Sequence, residues 1–173
     1  VAIKADEPEI QMYLGRAYLD MDQYAAAEKA LRSAVKINPR NALYHFYLGA
    51  SLEKQKNYLE AENCYRRAVE LNPRYHIAHF QRGNCLYHLG KQDGALEEYH
   101  KVIEIDPSYH FVHLNMATIY QQQGQYDKAI HEYREEIRHS PQLKEPYQRL
   151  ILVYCKKKDK KLAQATVEEA ERA

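Results

Sequence analysis

Residues 68–75 read AVELNPRY, and this stretch recurs along the chain at a fixed distance. Three related stretches share its proline, which returns every 34 residues: AVKINPRN (34–41), VIEIDPSY (102–109) and EIRHSPQL (136–143). Self-similarity at a fixed period of this length predicts an array of stacked repeats. The alignment predicts five of them, with boundaries at 8–41, 42–75, 76–109, 110–143 and a shortened 144–173.

Within each repeat the apolar residues follow a helical spacing that breaks twice. In repeat two, Leu48 and Leu52 share one stripe, the segment KQKNY (54–58) interrupts it, and Ala61 and Tyr65 begin a second stripe. The Asn-Pro, Asp-Pro and Ser-Pro dipeptides end the second helix, because the residue before a proline is disfavoured in the helical region. Each repeat is therefore predicted to be two antiparallel helices with a tight turn, stacked on its neighbours.

These positions resemble the signature of the tetratricopeptide repeat (TPR) family. In repeat two the signature residues are Leu48, Gly49, Leu52, Ala61, Tyr65, Ala68 and Pro73. The resemblance covers nearly the whole chain and implies an all-α fold, a right-handed α-solenoid forming a single domain over residues 1–173. One departure is Arg82, which stands where the family has an apolar residue.

The resemblance also implies a concave groove, lined by the first helix of each repeat, that binds a partner. The candidate groove residues are Met12, Arg16, Leu43, Phe46, Tyr47, Ile77, Phe80, Asn84, Tyr87, Phe111, Leu114, Asn115 and Thr118. All three phenylalanines of the chain belong to this set. A strip of aromatic and aliphatic residues at a groove centre is typical of a protein-binding site.

The expected partner is an apolar or amphipathic peptide segment of another protein. Family members that clamp a carboxylate terminus do so with lysine, arginine and asparagine side chains, whereas only Arg16 is basic at the matching positions here. Two alternatives stay open. Part of the strip packs against the chain's own helices, or the chain is a structural or oligomerisation module that self-associates or works through its end faces.

Histidines recur in pairs three residues apart, His76/His79 and His110/His113, a spacing that puts two imidazoles on one helix face. His45, His79 and His113 are themselves 34 residues apart. Equivalent positions in stacked repeats lie about 8–10 Å apart, too far to share one metal ion. No nearby ligand completes either pair, so we interpret the histidines as packing residues and predict no metal site and no cofactor.

The remaining composition argues against an enzyme, a nucleic-acid binder or a membrane protein. The net charge is +1, and no phosphate-binding loop or hydrolase motif is present. The three cysteines have no metal-ligand spacing and are expected to be buried and reduced, which predicts a cytoplasmic location. The first residue is Val, which indicates a processed chain or a fragment and leaves open whether a targeting segment was removed.

A basic run, KKKDKK (156–161), falls in the turn between the last two helices. We interpret it as a solvated loop, with contact to an acidic partner or a phosphate group as the alternative.

Overall fold

The structure is a computed structural model that describes residues 7–109 and 111–173. Within these residues all regular secondary structure is α-helical, which confirms the predicted all-α class, and the helices pack in consecutive pairs. The helices are α1 (Pro8–Asp20), α2 (Tyr24–Ile37), α3 (Ala42–Lys54), α4 (Tyr58–Leu71), α5 (His76–His88), α6 (Gln92–Ile105), α7 (Phe111–Gln122), α8 (Tyr126–His139), α9 (Lys144–Lys156) and α10 (Lys160–Arg172).

The helix boundaries follow the 34-residue period of the sequence. Before Pro39 and Pro73 the chain leaves the helical region, with φ −130° and ψ 87° at Asn38 and φ −138° and ψ 89° at Asn72. The ring of the following proline disfavours a helical conformation at these residues, so the helix ends there. The first helix of repeat two then begins with an N-cap, in which the Asn41 side chain accepts a hydrogen bond from the Leu43 N–H at 2.9 Å.

The two helices of every pair are joined by the same three-residue turn. Its middle residue has a positive φ between 58° and 75° in all five repeats, at Asp22, Lys56, Gly90, Gly124 and Lys158. In repeat two the N–H of Asn57 donates to the Leu52 carbonyl at 2.9 Å, and the N–H of Lys56 donates to the Glu53 carbonyl at 2.8 Å. This pair of bonds is the Schellman motif, which satisfies the last carbonyls of the first helix.

The two helices approach closely where the first one carries a glycine. A Cβ built on Gly49 would lie 2.9 Å from the ring of Tyr65, and one built on Gly83 would lie 2.5 Å from the ring of Tyr99. Both tyrosine rings are fully buried. The glycine at this signature position is therefore required by the aromatic ring that lies against it.

The contacts divide the chain into two compact units, the first ending at Ile105 and the second extending from Asp106 to Ala173. In the first unit one apolar cluster joins α1 to α5 and includes Leu31, Leu48, Tyr65 and Cys85. The second unit buries its own set, among them Val112, Met116, Tyr133, Leu150 and Val153. That all five repeats behave as one domain stays a prediction.

No helix in the described part of the chain combines the length and the apolar character that crossing a bilayer requires.

The shared turn predicts the effect of a glycine at Lys56. Lys56→Gly should raise the free energy of unfolding by up to about 1 kcal/mol, because a side chain in the left-handed region costs about 1–2 kcal/mol and the greater freedom of glycine in the unfolded chain offsets part of that gain. Urea denaturation measures the change. The matched control Lys29→Gly, an exposed residue in the interior of α2, should lower the same quantity by about 1 kcal/mol; equal losses in both variants would contradict the turn geometry.

The contact between Gly83 and Tyr99 predicts that an added methyl group is destabilising. Gly83→Ala should lower the free energy of unfolding by about 1 kcal/mol or more, since overpacking a core costs about 1–3 kcal/mol and outweighs the higher helix propensity of alanine. Gly94→Ala is the control, because its added Cβ would meet the Leu86 side chain at 3.6 Å, an ordinary contact. Chemical denaturation should show Gly94→Ala to be neutral or stabilising, and a matching loss in both variants would rule out the steric explanation.

Candidate functional site

The first helices of the first unit present the predicted groove residues with different degrees of exposure. Leu43 on α3 and Ile77 on α5, at equivalent positions of their repeats, are each 37% exposed. Arg16 is exposed as well. Five further residues of the predicted set on α3 and α5 are half-buried, namely Phe46, Tyr47, Phe80, Asn84 and Tyr87. These residues form what we term the first-helix face.

Met12 differs from the rest of the set because it is 5% exposed and belongs to the apolar core. Its side chain contributes to packing in the first unit and offers little area to a partner. The helical position alone placed it on the groove side, but the sequence pattern did not show that the core reaches that far around α1.

The two phenylalanines of the first-helix face pack partly against buried rings and are partly exposed at the surface. The Phe46 ring centroid lies 5.0 Å from that of Tyr75 and 5.7 Å from that of Tyr65. Phe80 lies 5.9 Å from Tyr99 in the same way. The alternative that part of the strip packs on the chain's own helices is therefore correct for one side of these rings. Part of the surface of each residue stays exposed, because both residues are only half-buried.

Polar groups accompany this apolar strip. The buried tyrosines of the second helices direct their hydroxyls towards the first helices, where Tyr65 donates to Glu53 Oε2 at 2.6 Å and Tyr99 donates to Asn84 Oδ1 at 2.7 Å. Burial raises the pKa of Glu53, although the hydrogen bond from Tyr65 acts in the opposite direction. The guanidinium carbon of Arg16 lies 6.0 Å from the centroid of the Tyr47 ring. The face is thus apolar with a few fixed polar groups.

In the second unit, α7 carries the remaining predicted residues. Phe111 is 57% exposed and its ring centroid lies 5.5 Å from that of Tyr109. Leu114, Asn115 and Thr118 are half-buried. The Thr118 hydroxyl donates to the Leu114 carbonyl at 2.8 Å, so this donor is used within the helix.

The recurring histidines connect the helices of a pair. The Nδ1 of His79 lies 2.6 Å from Glu98 Oε2, and its Nε2 lies 3.1 Å from the Pro73 carbonyl oxygen. In the second unit, His113 Nδ1 lies 2.7 Å from Glu132 Oε2. His79 and His113 are therefore buried with their ring nitrogens directed at oxygens. His110 lies outside the described residues, and among those that are described no three His, Cys, Asp or Glu side chains are grouped to hold a metal ion.

A network of charges surrounds Glu98 and explains the unusual residue Arg82. The Arg82 guanidinium lies 2.8 Å from Glu62 on α4 and 3.1 Å from Glu98 on α6, and Lys101 Nζ lies 2.8 Å from Glu98. Burial alone would raise the pKa of the Glu98 carboxyl, but the hydrogen bonds from His79 and Lys101 and the charge of Arg82 outweigh it and lower that pKa below its ordinary value.

The carboxylate partners of the histidines were not predicted from the sequence. A usable signal was present, because Glu98 and Glu132 each follow their histidine by 19 residues and are 34 residues apart. Repeat two has Cys64 at the corresponding place, and there the Nε2 of His45 lies 2.9 Å from the Pro39 carbonyl oxygen.

The cysteines are free, but their environments differ. Cys85 is buried and Cys64 is half-buried, and burial raises the pKa of the Cys64 thiol to about 11. Cys155 is exposed, so the prediction that all three cysteines are buried was wrong at this residue. It lies at the end of α9, on the side away from the core.

Helix pairs with a 34-residue period and a common turn, two of them with a glycine–aromatic contact, define a helical-repeat protein. Family models described as tetratricopeptide repeat match residues 13–62, 51–110 and 98–131. The chain belongs to the tetratricopeptide repeat family. A comparison with curated protein sequences finds no significant match.

Solved structures of TPR proteins resemble the chain in fold. A MamA protein is 20% identical with a TM-score of 0.90, over 96% of this chain and 91% of that one. MamA from Desulfovibrio magneticus RS-1 is 19% identical with a TM-score of 0.88, over 96% of each chain. YrrB, described as a TPR protein with an unusual peptide-binding site, is 13% identical with a TM-score of 0.83, over 96% of this chain and 86% of that one.

The network around Glu98 predicts a pH-dependent contribution to stability. Because the pKa of Glu98 is lower in the folded chain than the unfolded value of about 4.3, its charge stabilises the fold above that value, and the stabilisation is lost as pH falls through the folded-state pKa. Glu98→Gln should lower the free energy of unfolding at neutral pH by about 1–3 kcal/mol, with the difference from wild type shrinking below about pH 4.

The neighbouring Glu97 is exposed and supplies the control. Urea denaturation of Glu97→Gln should give values close to wild type at both pH values. A loss for Glu98→Gln that is the same at acidic and neutral pH would contradict a role for its charge.

Proposed function

We propose that this chain is a non-enzymatic interaction scaffold that binds an apolar or amphipathic segment of a partner protein on the first-helix face. TPR domains generally mediate protein–protein interactions, and the family is typically non-catalytic. The observation that carries the proposal is the exposure of Leu43 and Ile77 at equivalent positions of consecutive repeats, each three residues before the half-buried Phe46 or Phe80.

The chemistry of the face favours an apolar partner segment over an acidic one. Arg16 is the only basic member of the predicted set, and it already lies over the Tyr47 ring. Half-buried aromatic rings lose little further conformational freedom on binding and offer large apolar areas, which is typical of residues that dominate binding energy. Asn84, held by Gln81 and Tyr99 at the surface of the helix, supplies a polar group that can orient a bound backbone.

In the second unit, Phe111 provides the largest exposed aromatic surface of the predicted set. We include it in the proposed binding function as a separate contact. Its contribution is to be measured by itself, with Phe111→Ser against Leu162→Ser, a change of a similarly exposed apolar residue on the second helix of repeat five.

An oligomerisation module is the competing hypothesis. Sedimentation velocity across a range of concentrations distinguishes the two, since a chain that stays monomeric while it binds peptide excludes a purely self-assembling role.

The proposed site is tested with peptides selected from a random phage-displayed library against the wild-type chain. The double substitution Leu43→Ser with Ile77→Ser should weaken binding of the selected peptides by at least about tenfold, which corresponds to about 1.4 kcal/mol, because both side chains would lose contact with the bound segment. Fluorescence anisotropy of labelled peptides measures the affinities.

The matched control replaces Ile37 and Leu59 with serine, since these residues are 49% and 57% exposed on the second helices of the same unit. Peptide affinity should change by less than about twofold, and both double variants should retain the wild-type helical content. The proposal fails if no peptide is selected, or if the selected peptides are equally sensitive to both pairs of substitutions.

A further inference from the structure

The lysine run at residues 156–161 is a fixed surface rather than a loose loop. Lys156 is the last residue of α9, and Lys160 and Lys161 begin α10, so only three residues lie between the helices. Lys158 holds the positive-φ position of the shared turn, with φ 60°. Lys156, Lys157, Lys158, Lys160 and Lys161 are all exposed, and the same turn in repeat four contains no charged residue between its helices.

Little of this positive charge is neutralised within the described residues. Asp159 is the only acidic residue in the run, and its side chain caps α10 by accepting from the Leu162 N–H at 3.0 Å. Lys157 forms an ion pair with Asp127 at the start of α8. No ion pair joins the other four lysines to a carboxylate in the described part of the chain.

Two lysines of the run also lie at the N-terminus of α10, where positive charge is unfavourable. The N-terminus of a helix carries a partial positive charge, so acidic side chains stabilise the first turn and basic ones destabilise it. The second helices of repeats two, three and four follow this rule, with Glu60, Asp93 and Asp127 in their first turns. In α10 the first turn instead contains Lys160 and Lys161 and no acidic residue. The Asp159 carboxylate at the N-cap offsets part of this repulsion, and a bound anion would offset more of it.

A shallow cleft lies beside the run in the second unit. It has a volume of about 270 Å³ and is lined by residues 124–128, which include Asp127 and Lys128. Because Lys157 is paired with Asp127, the lysine turn is attached to the rim of this cleft. The Nζ of Lys128 lies 5.2 Å from the centroid of the Tyr120 ring, adding a further cation at the same end of the unit.

We propose that the lysine turn, together with the cleft at the start of α8, binds a short acidic segment of a partner protein. Charge complementarity favours a segment containing several carboxylates, one for each lysine that lacks an internal partner. Outside the run, acidic side chains outnumber basic ones in residues 106–173. The rest of this unit therefore carries a net negative charge, which disfavours an extended polyanion such as a nucleic acid and favours a ligand about as short as the run itself.

The test is a fluorescence-anisotropy titration with a labelled hexaglutamate peptide. The wild-type chain should bind the peptide at low ionic strength and more weakly at about 300 mM salt, where exposed charges are screened. Replacing Lys156, Lys158, Lys160 and Lys161 together with glutamine should weaken binding by at least about tenfold. The same variant should melt at the wild-type temperature or above, because the repulsion at the start of α10 has been removed.

The matched control replaces four exposed lysines of the first unit, Lys29, Lys36, Lys56 and Lys91, with glutamine, so that the net charge changes equally. Its affinity for the peptide should stay within about twofold of wild type, as should that of the variant with serine at residues 43 and 77. The proposal is overturned if hexaglutamate does not bind, or if both lysine variants lose affinity equally. It is also overturned if phosphatidylserine vesicles or a single-stranded oligonucleotide bind through the run more tightly than the peptide.

Discussion

The structure depends on the close approach of two helices at a point where no Cβ fits. Gly49 lies against the ring of Tyr65 and Gly83 against the ring of Tyr99, so in repeats two and three the two helices are held at a distance set by an aromatic ring in contact with bare backbone. The ring fills the space between the helices, and its hydroxyl reaches a polar side chain on the first helix. The same contact thus sets the spacing of the pair and fixes polar groups at the first-helix face.

Most of the fold was predictable because the 34-residue period and the recurring proline and glycine positions can be read directly from the sequence. The helix ends before Pro39 and Pro73 followed from the backbone restriction that proline imposes. The turns were harder to predict, because the left-handed position is occupied by a glycine in only two of the five repeats. At Lys56 and Lys158 the packing of the helices on either side imposes a conformation that the residue itself does not favour.

The sequence provides candidate site residues but not their exposure. The resemblance to the TPR family assigned Leu43 and Ile77 to the groove side of their helices, yet it did not distinguish them from Met12, which is buried. Exposure depends on the size of the side chains in the neighbouring repeat, and a one-dimensional pattern does not contain that information. The buried histidines show the same limitation, since His79 interacts with Glu98, a residue 19 positions later in the sequence and on a different helix.

The ion pairs of Arg82 restrict which repeat can precede repeat three. By periodicity the repeats look interchangeable, but Arg82 belongs to repeat three and one of its partners, Glu62, belongs to repeat two. At the position equivalent to Glu62, repeats three and four carry Leu96 and Ile130. Repeat three placed after repeat four would therefore leave a guanidinium facing an aliphatic side chain, an arrangement that proteins avoid. Repeat one carries Glu28 at this position and could still supply a carboxylate, so Arg82 restricts the neighbours of repeat three to those with an acidic residue there.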